Sequence, residues 1–359
     1  MHEKRGNPKR GYLNRALASI AMLGLLAAAA MGCSSGGKDK TPTDLSVDSN
    51  GKLSQPTTIT VALPARLGAF TDALMAQEWG EFQARNLKVD LKLIPSSDAL
   101  VLLAKGDVDV VLTGISANLL NAASSGIDIR LAMPQYLTNP KGKTGWYVST
   151  KALGGATFSP EMLKGKTVAS SQGSDGASIL GLVDTLRSAN LTLKDVTVKK
   201  MASADMVTAL ENGAVFAAVV SEPLNVALEA KRSAVMFTSV SRPDWPPASA
   251  IFGPNLLKKH PAVAKAYAAA ILATRAKLAG DYVNDPKRAP EVAKALDLSM
   301  EQLQSATSYV WKTDLRFPDG YVEQYQDIWK QADLLTYSTK LSGADIVDTS
   351  ALDWAIGQR

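Results

Sequence analysis

The sequence has 359 residues, 46% of them hydrophobic and 20% charged, with a formal net charge of +5. That length and composition suit a globular chain with room for two packed cores and exclude a low-complexity or disordered protein. The basic balance does not signal a nucleic-acid partner, because residues 1–33 carry five Lys/Arg against one acid and leave about +1 for the rest.

The N-terminus reads as a targeting segment. A basic stretch to Arg15 precedes the apolar run Ala16 to Met31, which ends in Ala30-Met31-Gly32-Cys33. A basic region, a short apolar core and small residues before a cut describe a secretory signal. The run is short for a membrane span, which takes roughly 20 apolar residues. Cys33 is the only cysteine, so no disulfide can form within the chain. The order Ala-Met-Gly-Cys resembles the lipobox of bacterial lipoproteins, with Ala30 where leucine is usual. That resemblance implies lipidation of Cys33, which would become the new N-terminus and anchor the protein to the bacterial membrane, facing the periplasm or cell exterior. The other reading is an ordinary signal with an incidental cysteine. Residues 34–56, rich in Gly, Ser, Lys, Asp and Thr, are expected to be a flexible tether.

From Thr57 onward strands and helices alternate. Thr58–Leu63 is β-branched and alternating, a strand; Thr71–Arg85 has apolar residues at helical spacing; Leu87–Ile94 is the next strand. A helix follows to Lys105-Gly106, then a short apolar strand, Val108–Leu112, a glycine-bearing loop at Gly114, and a helix that Ser116 can cap. Ile127–Met133 and Trp146–Thr150 are further strands, the latter placed near a crossing between lobes. The pattern continues with strands at Thr167–Ala169, Val196–Met201, Ala214–Val220 and Val235–Val240. Ala248–Phe252 is read as the return crossing, and the remainder is mostly helical, with proline at several helix starts. This alternation implies parallel βαβ units.

One arrangement occurs twice. Val101–Ser116 reads helix, glycine turn, buried strand and polar loop, and Ala209–Pro223 reads the same with Gly213 and Ser221-Glu222-Pro223. Two copies predict two α/β lobes of similar design, and a cleft between such lobes is a common ligand site.

Three phrases carry a family resemblance: ITVALPARLGAF; AKGDVDVVLTGISANLLNAASSGIDIRLAM; and LKGKTVASSQGSDGAS followed by LTLKDVTVKKMASADMVTALENGAVFAAVVSEP. In this order the chain resembles the solute-binding lipoproteins of ABC importers, in the subgroup for nitrate, sulfonate, taurine and thiamine-pyrimidine precursors. The resemblance implies an α/β, two-lobed type II periplasmic-binding-protein fold with a hinge and a helical C-terminal region packed on the first lobe. The segments expected are a signal at 1–33, the tether at 34–56, lobe 1 from 57–150, lobe 2 from 151–247, and a return crossing with C-terminal helices of lobe 1 from 248–359. It also implies a monomer that closes on a small anion or zwitterion, without cofactor, and hands it to a permease and its ATPase.

Carried over by position, four loops face the cleft. In the first, Arg66 can pair with an anionic group or be a solvated surface arginine, and Phe70 can stack on ligand or staple the helix. In the second, the backbone of Gly114, Ile115 and Ser116 can cradle an anion or be an ordinary helix cap. In the third, Gly173 allows close approach and Ser174 offers a hydroxyl. There Asp175 would repel an anion and recruit an amine, unless it caps a helix away from the cleft. In the fourth, Glu222 can accept from a polar or cationic group or complement a helix dipole. Trp146 and Trp245 lie near the expected crossings, where they can line the cleft or simply pack.

The rivals are an enzyme on the same fold and a sensor-linked binding protein. Against catalysis, the only histidines are His2 and His260, with no metal-ligand spacing, GxSxG or phosphate-binding loop.

Overall fold

The computed structural model describes residues 45–359, so the signal segment and Cys33 lie outside the described residues. Among the described residues there are ten strands: β1 (Thr57–Leu63), β2 (Leu87–Leu93), β3 (Val110–Thr113), β4 (Arg130–Pro134), β5 (Gly145–Ser149), β6 (Thr167–Ser170), β7 (Thr197–Lys200), β8 (Ala217–Val220), β9 (Ala234–Ser239) and β10 (Ser249–Phe252). They form two five-stranded sheets, β2-β1-β3-β10-β4 and β7-β6-β8-β5-β9. The α/β class and the two-lobed type II arrangement follow from this topology.

The sequence repeat is a structural repeat. β3 and β8 each hold the third place in their sheet, and every residue of VVLT and AAVV is buried, as strands covered on both faces require. The helices before them, Ser96–Lys105 and Ser203–Asn212, end on Gly106 (φ 77°) and Gly213 (φ 74°). Both glycines take the left-handed conformation that ends a helix and turns the chain into the next strand. At the edges, β2 and β7 expose charged side chains, which discourages pairing with another chain.

The chain passes between the sheets twice, over residues 135–144 and 240–248. After each passage the first strand is inserted antiparallel into the sheet just reached: β5 between β8 and β9, and β10 between β3 and β4. This corrects two expectations. Gly145–Ser149 belongs to the second sheet, where it is buried along its whole length, so the first lobe ends near residue 134 and not at 150. The return crossing is complete before Ser249, since Ser249–Phe252 is already a strand of the first sheet.

The expected tether also needs correction over its described part. Val47 and Leu53 pair in an antiparallel bridge, and Asp48 Oδ1 accepts from the N–H groups of Asn50 and Lys52 to close the turn between them. Leu53 is fully buried; its N–H donates to Arg85 O at 3.1 Å, and Asn86 Nδ2 donates to its carbonyl at 2.8 Å. Leu45, Val47 and Leu53 are apolar enough to hold this small hairpin against the first lobe.

The helices Pro261–Leu278 and Ser350–Gly357 pack on the first lobe, as expected. Between Thr71–Glu78 and Pro261–Leu278 lies a buried ion pair, Asp72 with Arg275 at 2.9 Å. The helix Tyr321–Gln331 does more. It packs on the first-lobe helix Ala117–Ser124, yet Tyr321, Tyr325 and Trp329, aligned on one face at four-residue spacing, donate to carbonyls elsewhere. The acceptors are Pro246 O (2.8 Å) in the second crossing, and Ala177 O (3.2 Å) and Ser174 O (3.1 Å) in the second lobe. This helix therefore spans both lobes.

Candidate functional site

The carboxyl ends of β3 and β6 face each other. Ser116 and Gly176 pair through their backbones in an antiparallel bridge. Gln172 Nε2 donates to Thr113 Oγ1 at 3.3 Å, and Asn118 Nδ2 donates to Asp175 Oδ2 at 2.7 Å. A Cβ on Gly114 would stand 2.7 Å from both Ala177 Cβ and Pro247 O, so glycine is what lets the two lobes approach here. Ile115 is fully buried in a hydrophobic core that runs without a break from Val111 and Leu119 of the first lobe to Val168 and Leu182 of the second. Ser116 caps the helix Ala117–Ser124, its Oγ accepting from Leu119 N at 3.2 Å. Opposite, Gly173 adopts φ 72°, and burial pushes the Asp175 carboxyl above its ordinary range despite its backbone hydrogen bond and the nearby Lys200. The structure thus brings Gly114, Ile115 and Ser116 together with Gly173, Ser174 and Asp175.

The other sequence-selected residues stand elsewhere. Arg66 Nη1 donates at 2.8 Å to Ala295 O, at the carboxyl end of the helix Arg288–Leu296. Phe70 is buried in the first-lobe core with Leu74 and Met75. Trp146 is fully buried and donates from Nε1 to Ser178 O at 2.8 Å. Trp245 is half-buried in the second crossing, with the Arg242 guanidinium 5.2 Å from its ring centre and Tyr321 at 5.3 Å. Arg242 is itself held by both oxygens of Asp184, at 2.7 and 2.6 Å. Glu222 is buried: Oε1 accepts from Lys143 N at 3.0 Å, and Oε2 accepts from Thr307 N at 3.2 Å and Thr307 Oγ1 at 2.8 Å.

Sequence reasoning passed over several polar groups. Gln135 directly follows β4 and Ser241 follows β9, at the start of the two crossings; both are buried, and Gln135 Oε1 and Ser241 Oγ have no partner among the described residues. Their signal was available, since a polar residue just past an apolar strand marks where open α/β sheets bind ligands. Beside Gln135, Tyr136 packs against Tyr309 (4.5 Å between centroids) and Trp311 (5.8 Å), a cluster assembled from parts too distant in sequence to be foreseen. A groove of about 400 Å³ adjoins it, with Asn139, Lys141, Asp281 and Asn284 among its lining residues. Among the described residues, no cluster of His, Cys, Asp and Glu is placed to hold a metal ion, and no helix is long and apolar enough to cross a membrane.

Comparison with solved structures gives the same architecture. The alkanesulfonate-binding protein SsuA from Xanthomonas axonopodis pv. citri, bound to MOPS, is 17% identical with a TM-score of 0.60, over 83% of this chain and 98% of that one. The aliphatic sulphonate-binding protein SsuA from Escherichia coli is 17% identical with a TM-score of 0.57, over 83% and 100%. The nitrate-binding protein NrtA from Synechocystis PCC 6803 is 13% identical with a TM-score of 0.59, over 84% and 88%. At these identities the likeness is one of fold. No curated protein matches the sequence. The family model described as NMT1/THI5 like matches residues 68–289, more than half of the sequence, and the chain belongs to that family.

Proposed function

We propose that this protein is an extracytoplasmic solute-binding protein that captures a small anion or zwitterion between its lobes and delivers it to an ABC importer, acting by binding and not by catalysis. The observation that carries the reading is the meeting of strand ends from both sheets across one seam, with the buried, uncommitted Gln135 Oε1 and Ser241 Oγ at the two crossings. The family assignment supports it, as do structural neighbours whose names specify sulfonate and nitrate. Lipidation at Cys33 would keep the protein at the membrane beside its permease.

Ligand contacts are proposed for the backbone of Gly114–Ser116 and for Gly173 and Ser174, with Gln135 and Ser241 added from the structure. The helix Ala117–Ser124 presents its amino end at this seam, which favours a negative group there. Asp175 and Glu222 accept hydrogen bonds from the chain itself, so neither acid argues for a cationic ligand. A ligand drives closure only through contacts it gains in the closed state, and a seam made of loops from both lobes supplies them.

The test is a thermal-shift screen of the soluble protein from Ser34 onward against nitrate, bicarbonate, taurine, alkyl and aryl sulfonates, pyrimidines, amino acids and polyamines. A ligand at a hundredfold excess over its Kd stabilises by about 2.7 kcal/mol. A shift confined to anions and zwitterions is expected; a response only to polyamines would overturn the ligand class, and silence across the panel in ligand-free protein would overturn the binding reading.

A further inference from the structure

We propose that residues 306–311 form a strap that latches the two lobes together, with Glu222 as the catch. The strap is fixed to the first lobe. Ser308 Oγ donates to Asp281 Oδ1 at 2.9 Å, Tyr309 N donates to Tyr282 OH at 3.3 Å, and Tyr309 lies against Gly68, where a Cβ would come within 2.7 Å of its ring. It is also sewn to the first crossing: Val310 and Leu137 exchange both backbone hydrogen bonds at 3.0 Å, and Asn139 Nδ2 donates to Ser308 O at 3.0 Å.

From this base the strap reaches the second lobe at one place. Thr307 donates twice to Glu222 Oε2, which stands just beyond the end of β8. The other oxygen holds Lys143 N, and Glu222 N donates at 3.2 Å to Thr144 Oγ1, which lies 3.5 Å from Tyr309 OH. The carboxylate is therefore filled by protein donors, and moving the second lobe away from the first would strip a buried acid of two of them. Charge-assisted bonds to a buried carboxylate are among the stronger hydrogen bonds and are costly to break without a replacement. The groove of about 400 Å³ is lined by the strap itself, Thr307 to Trp311, and gives it room to move aside when the catch is undone.

This rests on the reading that the lobes open and close around a ligand, and it makes Glu222 a positioning residue for closure in place of a ligand contact. Thr307, half-buried and exchangeable for an isosteric valine, carries the test. Spin labels at Lys88→Cys in the first lobe and Lys151→Cys in the second, in the full chain with Cys33→Ser, report lobe separation by pulsed dipolar spectroscopy without added ligand. The latched protein should give one narrow distance distribution, and Thr307→Val should shift or broaden it toward longer distances with the circular dichroism spectrum unchanged. Glu222→Gln, which can still accept from Thr307 but without charge, should lie between the two. Identical distributions for parent and Thr307→Val would overturn the latch. Because the readout needs no ligand, that failure is distinct from silence in the ligand screen.

Discussion

Asn118 and Asp175 face each other across the seam, the amide of one lobe donating to the carboxylate of the other at 2.7 Å. Burial holds the folded Asp175 carboxyl above its unfolded value, so the fold favours the protonated form. The sign follows from linkage: the contribution is fully present below the unfolded value and is lost as pH rises through the folded one. Asp175→Asn, neutral at every pH and still able to accept from Asn118, should raise Tm at pH 7, with the gain vanishing as the pH is taken to about 3. Thermal melts of both proteins across that range check it; a gain independent of pH would show that burial of the charge is not the cause.

Gly114 has no room for a side chain, and one of its two near neighbours is backbone, Pro247 O. Gly114→Ala should cost about 1–3 kcal/mol, the usual range for overpacking. Urea denaturation gives the loss. The same variant should weaken any ligand found in the screen, because the added methyl stands at the point of closest approach between lobes.

The Asp72–Arg275 pair is almost wholly buried, and burial raises the Asp72 carboxyl even against the guanidinium beside it. Removing one partner strands the other. Arg275→Met is expected to destabilise by about 3–5 kcal/mol, whereas Asp72→Asn combined with Arg275→Met should recover much of the loss. A denaturant double-mutant cycle measures both.

Trp329 helps tie the helix Tyr321–Gln331 to the second lobe, its Nε1 donating to Ser174 O. Trp329→Phe keeps a ring but leaves that carbonyl bare, for an expected loss of about 1–3 kcal/mol. Amide exchange should quicken in Gly173–Gly176 before it does in the central strands, because the bond braces that loop.

Much of the architecture was legible in the sequence because short-range signals carry it. The doubled arrangement around Gly106 and Gly213 gave two lobes, and the apolar runs of β3 and β8 gave their central parallel strands. What escaped depends on partners far along the chain. Nothing local in Gly145–Ser149 reveals that its neighbours are β8 and β9, more than sixty residues later. The hairpin at 45–56 had a local sign, Asn50-Gly51 between apolar residues, but its polar composition masked it. For the site, backbone-led expectations at Gly114–Ser116 and Gly173–Asp175 brought together residues that do meet, because glycine and a helix start dictate where a loop runs. Side-chain expectations for Arg66 and Glu222 could not anticipate a helix end at Ala295 or the strap at Thr307, since a long or acidic side chain takes whichever partner the tertiary fold supplies.

The exchange of strands at the two crossings sets an order of assembly. All five strands of the second sheet lie within residues 145–239, a single uninterrupted stretch. In the first sheet β4 has only β10 as its neighbouring strand, and β10 begins at Ser249. A chain that becomes available N-terminus first can therefore complete the second lobe while the first still has an open edge at β3 and an unpaired β4. The domain begun first is finished last, and until then its unpaired edge is the part of the incomplete chain most exposed to wrong partners.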